Sequence, residues 1–347
     1  MAVVKSSVDT NRQKIADIVP LDSPLSMYVE PTRLCNFKCF YCMHGTRGVK
    51  GGQLEQSGFS IKNMEMDLYE KLVKEIMSFP SVPKRVCFSG LGEPLMNKNL
   101  PKMIKMLRDA GFTGRIDVIS NGSLLVPEVS DALIDAGISR IQISIQGLTK
   151  EKYKEVSDID VEIQQLVDNV RYFYEHEKEA TIYIKIIDSI LEGEEDRKTF
   201  FDMFESICDT IYVEHLVVMQ QQMGDHGGIV DSTRNLMGVS VAPREVCGVM
   251  FYFLQVNSDG ETFPCSTPGL PVDLSMGCMR NQTLQDIWNG KVRNHMLRTN
   301  LKDGYKKIPA CSECSSIIAC VTSADDDSEY MDDRREEILE KLSNKKS

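Results

Sequence analysis

Apolar positions along the chain alternate between two rhythms. Leu68, Leu72, Val73, Ile76 and Met77 form a stripe at helical spacing that Pro80 closes. A second stripe runs through Met103, Ile104 and Leu107 and ends at Gly111, a residue suited to capping a helix C-terminus. Pro127 opens a third helix where its missing N–H costs nothing, and Gly137 closes it. Longer spacing through Val161, Leu166, Val170 and Phe173 predicts one extended helix, and a last helix is expected over 200–207. Between these lie short runs rich in β-branched residues at 26–30, 85–89, 115–120, 140–145, 181–187 and 211–217. Six alternations of strand and helix predict an α/β chain with a parallel sheet and right-handed crossovers, open or partly closed into a barrel.

The unusual residues fall at the ends of these strands. A cysteine loop follows the first, Gly90-Leu-Gly-Glu-Pro94 the second, Ser120-Asn-Gly122 the third and Ser144-Ile-Gln-Gly147 the fourth. In βα barrels that rim is the active face, and four independent clusters on one rim exceed what loop chemistry alone produces.

The chain has 347 residues, 42% of them hydrophobic, enough for a large domain and a smaller one. Eleven cysteines without a secretory segment read as thiols and metal ligands in a reducing cytoplasm rather than as disulfides. No apolar run reaches the length of a membrane span. A formal charge of −11 disfavours a broad electrostatic grip on nucleic acid, and the acidic run at 325–333 reads as a solvated tail compatible with a helix. Residues 1–24, broken by Pro20 and Pro24, read as an arm laid over the first domain, too short for a winged-helix peptide-binding module.

Cys35, Cys39 and Cys42 stand at CxxxCxxC spacing. Three soft thiolates fit a cubane iron–sulfur cluster and leave its fourth iron without a protein ligand, the mark of a centre that reacts. The alternative is zinc with His44 as fourth ligand, against which the gap from Cys42 is tight. Here the chain resembles the radical S-adenosylmethionine (SAM) enzymes, with Tyr41 as the aromatic before the third cysteine. The resemblance implies that SAM chelates the open iron of a [4Fe-4S] cluster. Reductive cleavage would then yield a 5'-deoxyadenosyl radical that abstracts a substrate hydrogen. A flavodoxin- or ferredoxin-type reductant goes with that chemistry. Gly90, Gly92 and Glu93 match the family's turn for the SAM amino group, with Leu91 inserted. There glycine would let the backbone approach the ligand, and the carboxylate suits an ammonium. Ser120, Asn121 and Ser144 sit where the family places ribose and carboxylate contacts, and Gln146 replaces a frequent aspartate. Lys185 reads equally as a SAM contact or as a lysine with a buried stem.

After residue 218 the rhythm stops. The stretch 219–246 reads as a linker or loop over the barrel mouth. His226 and Arg234 within it, and His215 just before it, are candidate substrate contacts. Cys247, Cys265, Cys311 and Cys314 then supply four thiolates, with Asn257-Ser-Asp-Gly260 as a hairpin turn between the first two. That set closes a shell around either zinc or an iron–sulfur cluster. The region is similar to the SPASM and twitch cluster-binding domains, including the Leu284-Gln-Asp-Ile-Trp288 helix start. The resemblance implies one auxiliary [4Fe-4S] cluster, with Cys320 as an alternative ligand. The expected architecture is therefore a partial (β/α)6 TIM-like barrel over 25–218 and a small C-terminal SPASM/twitch domain over 247–322, with a tail over 323–347.

A fully ligated auxiliary cluster suits electron transfer, so the leading expectation is oxidation of a secondary alcohol of a sugar or aminocyclitol. The general base is not legible. Epimerisation at a similar carbon is the nearest alternative, with Cys87, Cys208, Cys278 and Cys320 as spare thiols that could return a hydrogen. Maturation of a peptide or protein is a third reading, and a non-catalytic metal-binding scaffold is the alternative of another class.

Overall fold

The computed structural model describes residues 1–8, 13–217, 233–312, 314, 317, 319 and 331–344. His226 and Cys320 lie outside the described residues, as does most of the acidic run. Six strands form the heart of the sheet: β2 (Ser26–Val29), β3 (Arg85–Phe88), β4 (Arg115–Ser120), β5 (Arg140–Ile145), β6 (Thr181–Ile187) and β7 (Thr210–Glu214). Each pairs in parallel with the next in chain order, and helices cover the connections. The period-2 pattern gives the sheet two different faces. Val86, Phe88, Ile116, Val118, Ile141, Ile143, Ile182, Ile184 and Ile211 are fully buried in the core that helix residues Leu72, Ile76, Leu107, Leu133 and Phe173 share. The opposite face is polar: Tyr28, Cys87 and Asp117 fall in one register row, and Gln142 lies beside Tyr183. Asp117, wholly buried, accepts from Arg85 Nε at 2.6 Å. The Arg85 guanidinium lies over Tyr28, and that of Arg140 over Tyr183. The concave side of this partial TIM-like barrel is thus a polar lumen, where a closed barrel would carry layers of branched apolar side chains.

Both edges are extended. Residues 1–24 were expected as an arm, but β1 (Val3–Val4) pairs in parallel with β7. At the other edge β8 (Phe253–Val256) pairs in parallel with β2, and β9 (Glu261–Phe263) and β10 (Gly277–Cys278) follow antiparallel, making one ten-stranded sheet. The expected hairpin turn is present. Gly260, at φ 94°, donates to Asn257 O at 2.9 Å, a left-handed position that favours glycine.

Three expectations need correction. The helix expected through Val161, Leu166, Val170 and Phe173 is Ile163–His176, and a helix the sequence reading lacked, Lys150–Ser157, precedes it and ends where Asp158 takes a left-handed conformation (φ 50°). The helix expected over 200–207 runs from Glu194 to Phe204, and the last barrel strand stops at Glu214, before His215. The described end of the tail is helical over Arg335–Asn344, yet it is docked rather than solvated, because Ile338 and Leu342 share one apolar face and are buried. Among the described residues no helix is long and apolar enough to cross a membrane.

Candidate active site and its two thiol sets

The loop after β2 carries Cys35, Cys39 and Cys42, held by its own turns and by its neighbours. Cys42 N donates to Cys39 O at 3.0 Å, while Lys38 N and Phe40 N donate to Ser157 O and Val156 O. The Arg47 guanidinium donates to Cys35 O. Burial pushes the Cys35 thiol up to about 12, with Glu93 and Cys42 adding to the rise, and burial likewise raises Cys39 and Cys42. Thiols this buried and this close to one another do not ionise together by themselves. A cationic iron core supplies the compensating charge, so the donor set fits a cluster. Among the described residues His44 and the three cysteines do not meet at single-ion spacing, so His44 does not complete a zinc shell. It is buried against the backbone of Arg33 and Leu91, and desolvation, with Arg47, lowers its pKa to about 4.

The Gly90–Pro94 turn after β3 packs onto this loop. A Cβ on Gly92 would lie 2.4 Å from Thr32 O and 2.5 Å from Leu34 O, and one on Gly90 would lie 2.5 Å from Glu30 Cγ. The glycines are therefore required first by the protein's own cysteine loop; approach to a ligand is not what forces them. Glu93 is buried. Its carboxylate accepts from Leu95 N at 3.0 Å, Ser120 Oγ at 2.8 Å and Asn121 N at 2.7 Å, joining the ends of β3 and β4. Desolvation raises its pKa, and those same bonds act against the rise. Asn121 Nδ2 donates to Asn36 Oδ1 at 2.9 Å, and Asn36 Nδ2 to Ser123 Oγ at 2.8 Å, which ties the cysteine loop to the end of β4. Tyr41 Oη donates to Gln146 Oε1 at 2.5 Å, a tie to the end of β5 beyond Ser144. Gly90, Gly92, Glu93, Ser120, Asn121, Ser144 and Gln146 therefore converge with the thiols on one rim.

Lys185 does not join them. Its Nζ donates to Glu214 Oε2 at 2.6 Å, and Tyr183 Oη donates to Glu214 Oε1 at 2.8 Å, so lysine and carboxylate neutralise each other across β6 and β7. Cys87 is buried mid-strand with its thiol raised to about 12 by burial, Cys208 is buried behind the sheet, and Cys278 lies on the outermost strand. None of them stands on the rim. Arg234, exposed, donates to Gly238 O within its own turn.

A pair that sequence reasoning only half found sits where β6 and β7 end. Asp188 Oδ2 lies 2.6 Å from His215 Nδ1, and Asp188 Oδ1 accepts from Leu216 N at 3.2 Å. Asp188 was missed, although it follows a strand end just as the other clusters do. Also missed was the clasp between the lobes. Arg33, buried, bonds Glu30 Oε1 at 2.8 Å and Asp259 Oδ2 at 2.7 Å, while Ser258 N and Oγ donate to the same Glu30 oxygen at 3.1 and 3.0 Å. The hairpin turn of β8 and β9 is thereby fastened to the residue where the cysteine loop begins.

The second thiol set gathers from three segments. Cys247 precedes the helix Val249–Tyr252, Cys265 follows β9, and Cys311 and Cys314 close a short turn in which Cys314 N donates to Cys311 O at 3.1 Å. Cys311 is raised by burial and then by Cys247, Cys265 and Cys314, so the four thiols stand near enough to act on one another. Buried Asn300 clamps Cys247 through both its backbone groups, each at 2.9 Å. Among the described residues no three ligand side chains meet at single-ion spacing. That wider setting suits a cluster several ångströms across.

The chain matches the family model described as the Radical SAM superfamily over residues 29–203, and the iron-sulfur cluster-binding domain SPASM over residues 247–315. It therefore belongs to the radical SAM superfamily, with a C-terminal SPASM domain, and [4Fe-4S] clusters are the cofactors of that class. Among curated relatives, the "Probable GTP 3',8-cyclase" of Methanococcus vannielii is 34% identical over 37% of this chain and 38% of its own. The GTP 3',8-cyclase of Clostridium perfringens is 28% identical over 51% and 50%. The chain thus spans about a third to a half of the relatives it matches. Among solved structures, BtrN in complex with AdoMet and 2-DOIA has a TM-score of 0.52 at 20% identity, covering 85% of this chain and 93% of BtrN. Native anSMEcpe with bound AdoMet has 0.57 at 14% identity, covering 93% and 100%. At such identities the likeness is one of fold.

Proposed function

We propose that this protein is a radical SAM dehydrogenase that oxidises a secondary alcohol of a sugar or aminocyclitol. Cys35, Cys39 and Cys42 hold the SAM-binding [4Fe-4S] cluster, and Cys247, Cys265, Cys311 and Cys314 hold an auxiliary one that serves as electron acceptor. When bound, the first cluster supplies the electron that cleaves SAM and so produces the hydrogen-abstracting radical. The chain's own part is position. Glu93, Ser120 and Asn121 fix the floor on which SAM lies, Tyr41 and Gln146 bound it, and Asp188 orients His215 toward the rim as acceptor of the hydroxyl proton. The observation that carries the reading is the mutual approach of four thiols. With every iron of the second cluster ligated by protein, that centre suits passing electrons better than holding substrate.

The test is anaerobic reconstitution with iron and sulfide, then SAM, reductant and a panel of aminocyclitols and sugars in deuterated water. Expected are 5'-deoxyadenosine and a carbonyl product, with unlabelled starting material. Deuterium at an inverted carbon would convert the reading to epimerase, and zinc-loaded protein that leaves SAM intact would remove the enzyme altogether. The match to the cyclases favours a second reading, ring closure on a nucleotide, and GTP belongs in the same panel. Consumption of GTP with no turnover of any alcohol would replace the first reading with the second.

A further inference from the structure

The thiols of the second set are not bonded alike. At Cys247 the hydrogen bonds come from the backbone of Met250 and Val249. Cys265, on the loop after β9, is instead bonded twice by one residue. Thr267 N donates to Cys265 Sγ at 3.3 Å, and the Thr267 hydroxyl oxygen lies 3.0 Å from the same sulfur. Thr267 is 2% exposed, so little water reaches that hydroxyl. Between a free thiol and a hydroxyl, either atom can carry the shared proton. Once Cys265 binds iron it is a thiolate without a proton, and the hydroxyl is then the donor.

A bond from a backbone N–H to the side chain two residues back is an ordinary turn device, and any residue but proline at 267 would supply it. The hydroxyl is a separate donor that belongs to this side chain. Its loop also reaches the other site: a Cβ on Gly269, at φ 69°, would lie 2.2 Å from Sδ of Met43, the residue after Cys42. The doubly bonded sulfur therefore sits on a segment that meets the first thiol loop. A donor aimed at a cluster sulfur stabilises the reduced, more negative state more than the oxidised one, and such bonds are among the factors that set a cluster's potential.

We propose that Thr267 is a positioning residue of the second site: acting through Cys265 Sγ, its hydroxyl raises the reduction potential of the auxiliary cluster and so makes that cluster a better electron acceptor. The inference rests on the reading of the second thiol set as an electron-accepting [4Fe-4S] cluster. In that reading the substrate carbon loses a hydrogen atom to the 5'-deoxyadenosyl radical and its hydroxyl loses a proton to a base. The one electron left over passes to the oxidised auxiliary cluster, which leaves a carbonyl and a reduced cluster. The Thr267 proton stays on its own oxygen throughout; only the strength of its bond to sulfur changes.

The experiment is a potentiometric titration of the cluster-loaded protein, followed by electron paramagnetic resonance, for the parent, Thr267→Val and Thr267→Ser. Added SAM marks the signal of the first cluster, and the signal that SAM leaves unmoved belongs to the second. T267V keeps the shape and the N–H but loses the hydroxyl. At a fixed solution potential its ratio of reduced to oxidised auxiliary cluster should fall about tenfold, which is 59 mV for one electron. T267S should restore the parent value, and the first cluster should not shift in either variant. If T267V loads no second cluster, the parent protein decides. Brief exchange into deuterated water labels hydroxyls ahead of buried amides, and electron–nuclear double resonance should then find a strongly coupled deuteron at the reduced auxiliary cluster. An unshifted potential in T267V, a shift that T267S does not reverse, equal shifts of both clusters, or no such deuteron overturns the proposal and leaves the reading of the second set standing. Parent protein that loads only the first cluster overturns both.

Discussion

The two thiol sets are built in opposite ways. Cys35, Cys39 and Cys42 sit on one continuous loop, so their spacing is a local property, and in the proposed reading three ligands would leave an iron open. Cys247, Cys265 and the Cys311–Cys314 turn come from three segments that only the folded sheet unites, and in the proposed reading four ligands would close a shell. Local construction suits a centre that must admit a ligand on one side, since one loop can wrap only part of a cluster. Distributed construction would surround a cluster and seal it. The contrast predicts a division of labour, chemistry at the first set and electron handling at the second.

The largest effect should come from the first set. Cys39→Ala is expected to abolish 5'-deoxyadenosine formation while about half of the bound iron remains, as the loss of one of two equal clusters requires. Iron analysis beside chromatography of the nucleoside checks it, and cleavage surviving in this variant would break the comparison. Cys247→Ala should do the reverse: SAM is still cleaved on reduction, yet carbonyl product disappears. Equal loss of both activities would mean that the second set only braces the fold.

The proposed proton acceptor gives the next effect. Asp188→Asn keeps the shape of the His215 contact but removes the charge that orients the imidazole and steadies it once protonated. Product formation should fall by about 10²- to 10⁴-fold, the usual weight of a general base, with 5'-deoxyadenosine formation retained. If product and nucleoside fall together, the pair belongs to the scaffold.

Much of this was legible beforehand for physical reasons that also mark the limit. The six barrel strands announce themselves because their apolar face alternates with a polar one, and the cysteine loop because its ligands are near neighbours in sequence. Four clusters at strand ends located the rim. Lys185 stayed ambiguous because its partner, Glu214, is on another strand, and the register that joins them is not written locally. The same holds for the extension of the barrel sheet through β8, whose pairing with β2 joins Tyr28 to Gln255 across more than half the chain. The helix Lys150–Ser157 was missed, and its stop is hidden because a non-glycine residue, Asp158, carries the left-handed turn. Asp188, by contrast, could have been found by asking of the fifth strand what was asked of the first four.

The clasp between the lobes gives the smallest expected effect on the chemistry, and its effect on stability is graded by burial. Arg33→Met leaves the Glu30 carboxylate buried, and its bonds from Ser258 and Leu91 N do not replace the lost positive charge. Removing one partner of a buried pair costs about 3–5 kcal/mol, so a large fall in melting temperature is expected. Asp259→Asn removes only the outer acid of the clasp, whose side chain is 33% exposed. Solvent already screens that contact, and the cost should be no more than about 1 kcal/mol. Arg33 keeps Glu30 in both its charge and its geometry, so the cysteine loop should hold its place in D259N. The electron paramagnetic resonance signal of the reduced first cluster is therefore expected to change in R33M and to stay as in the parent protein in D259N. A matching change in both variants would mean that the hairpin turn, through Asp259, sets the shape of the loop. The two thiol sets would then be one mechanical unit rather than the separable pair their construction suggests.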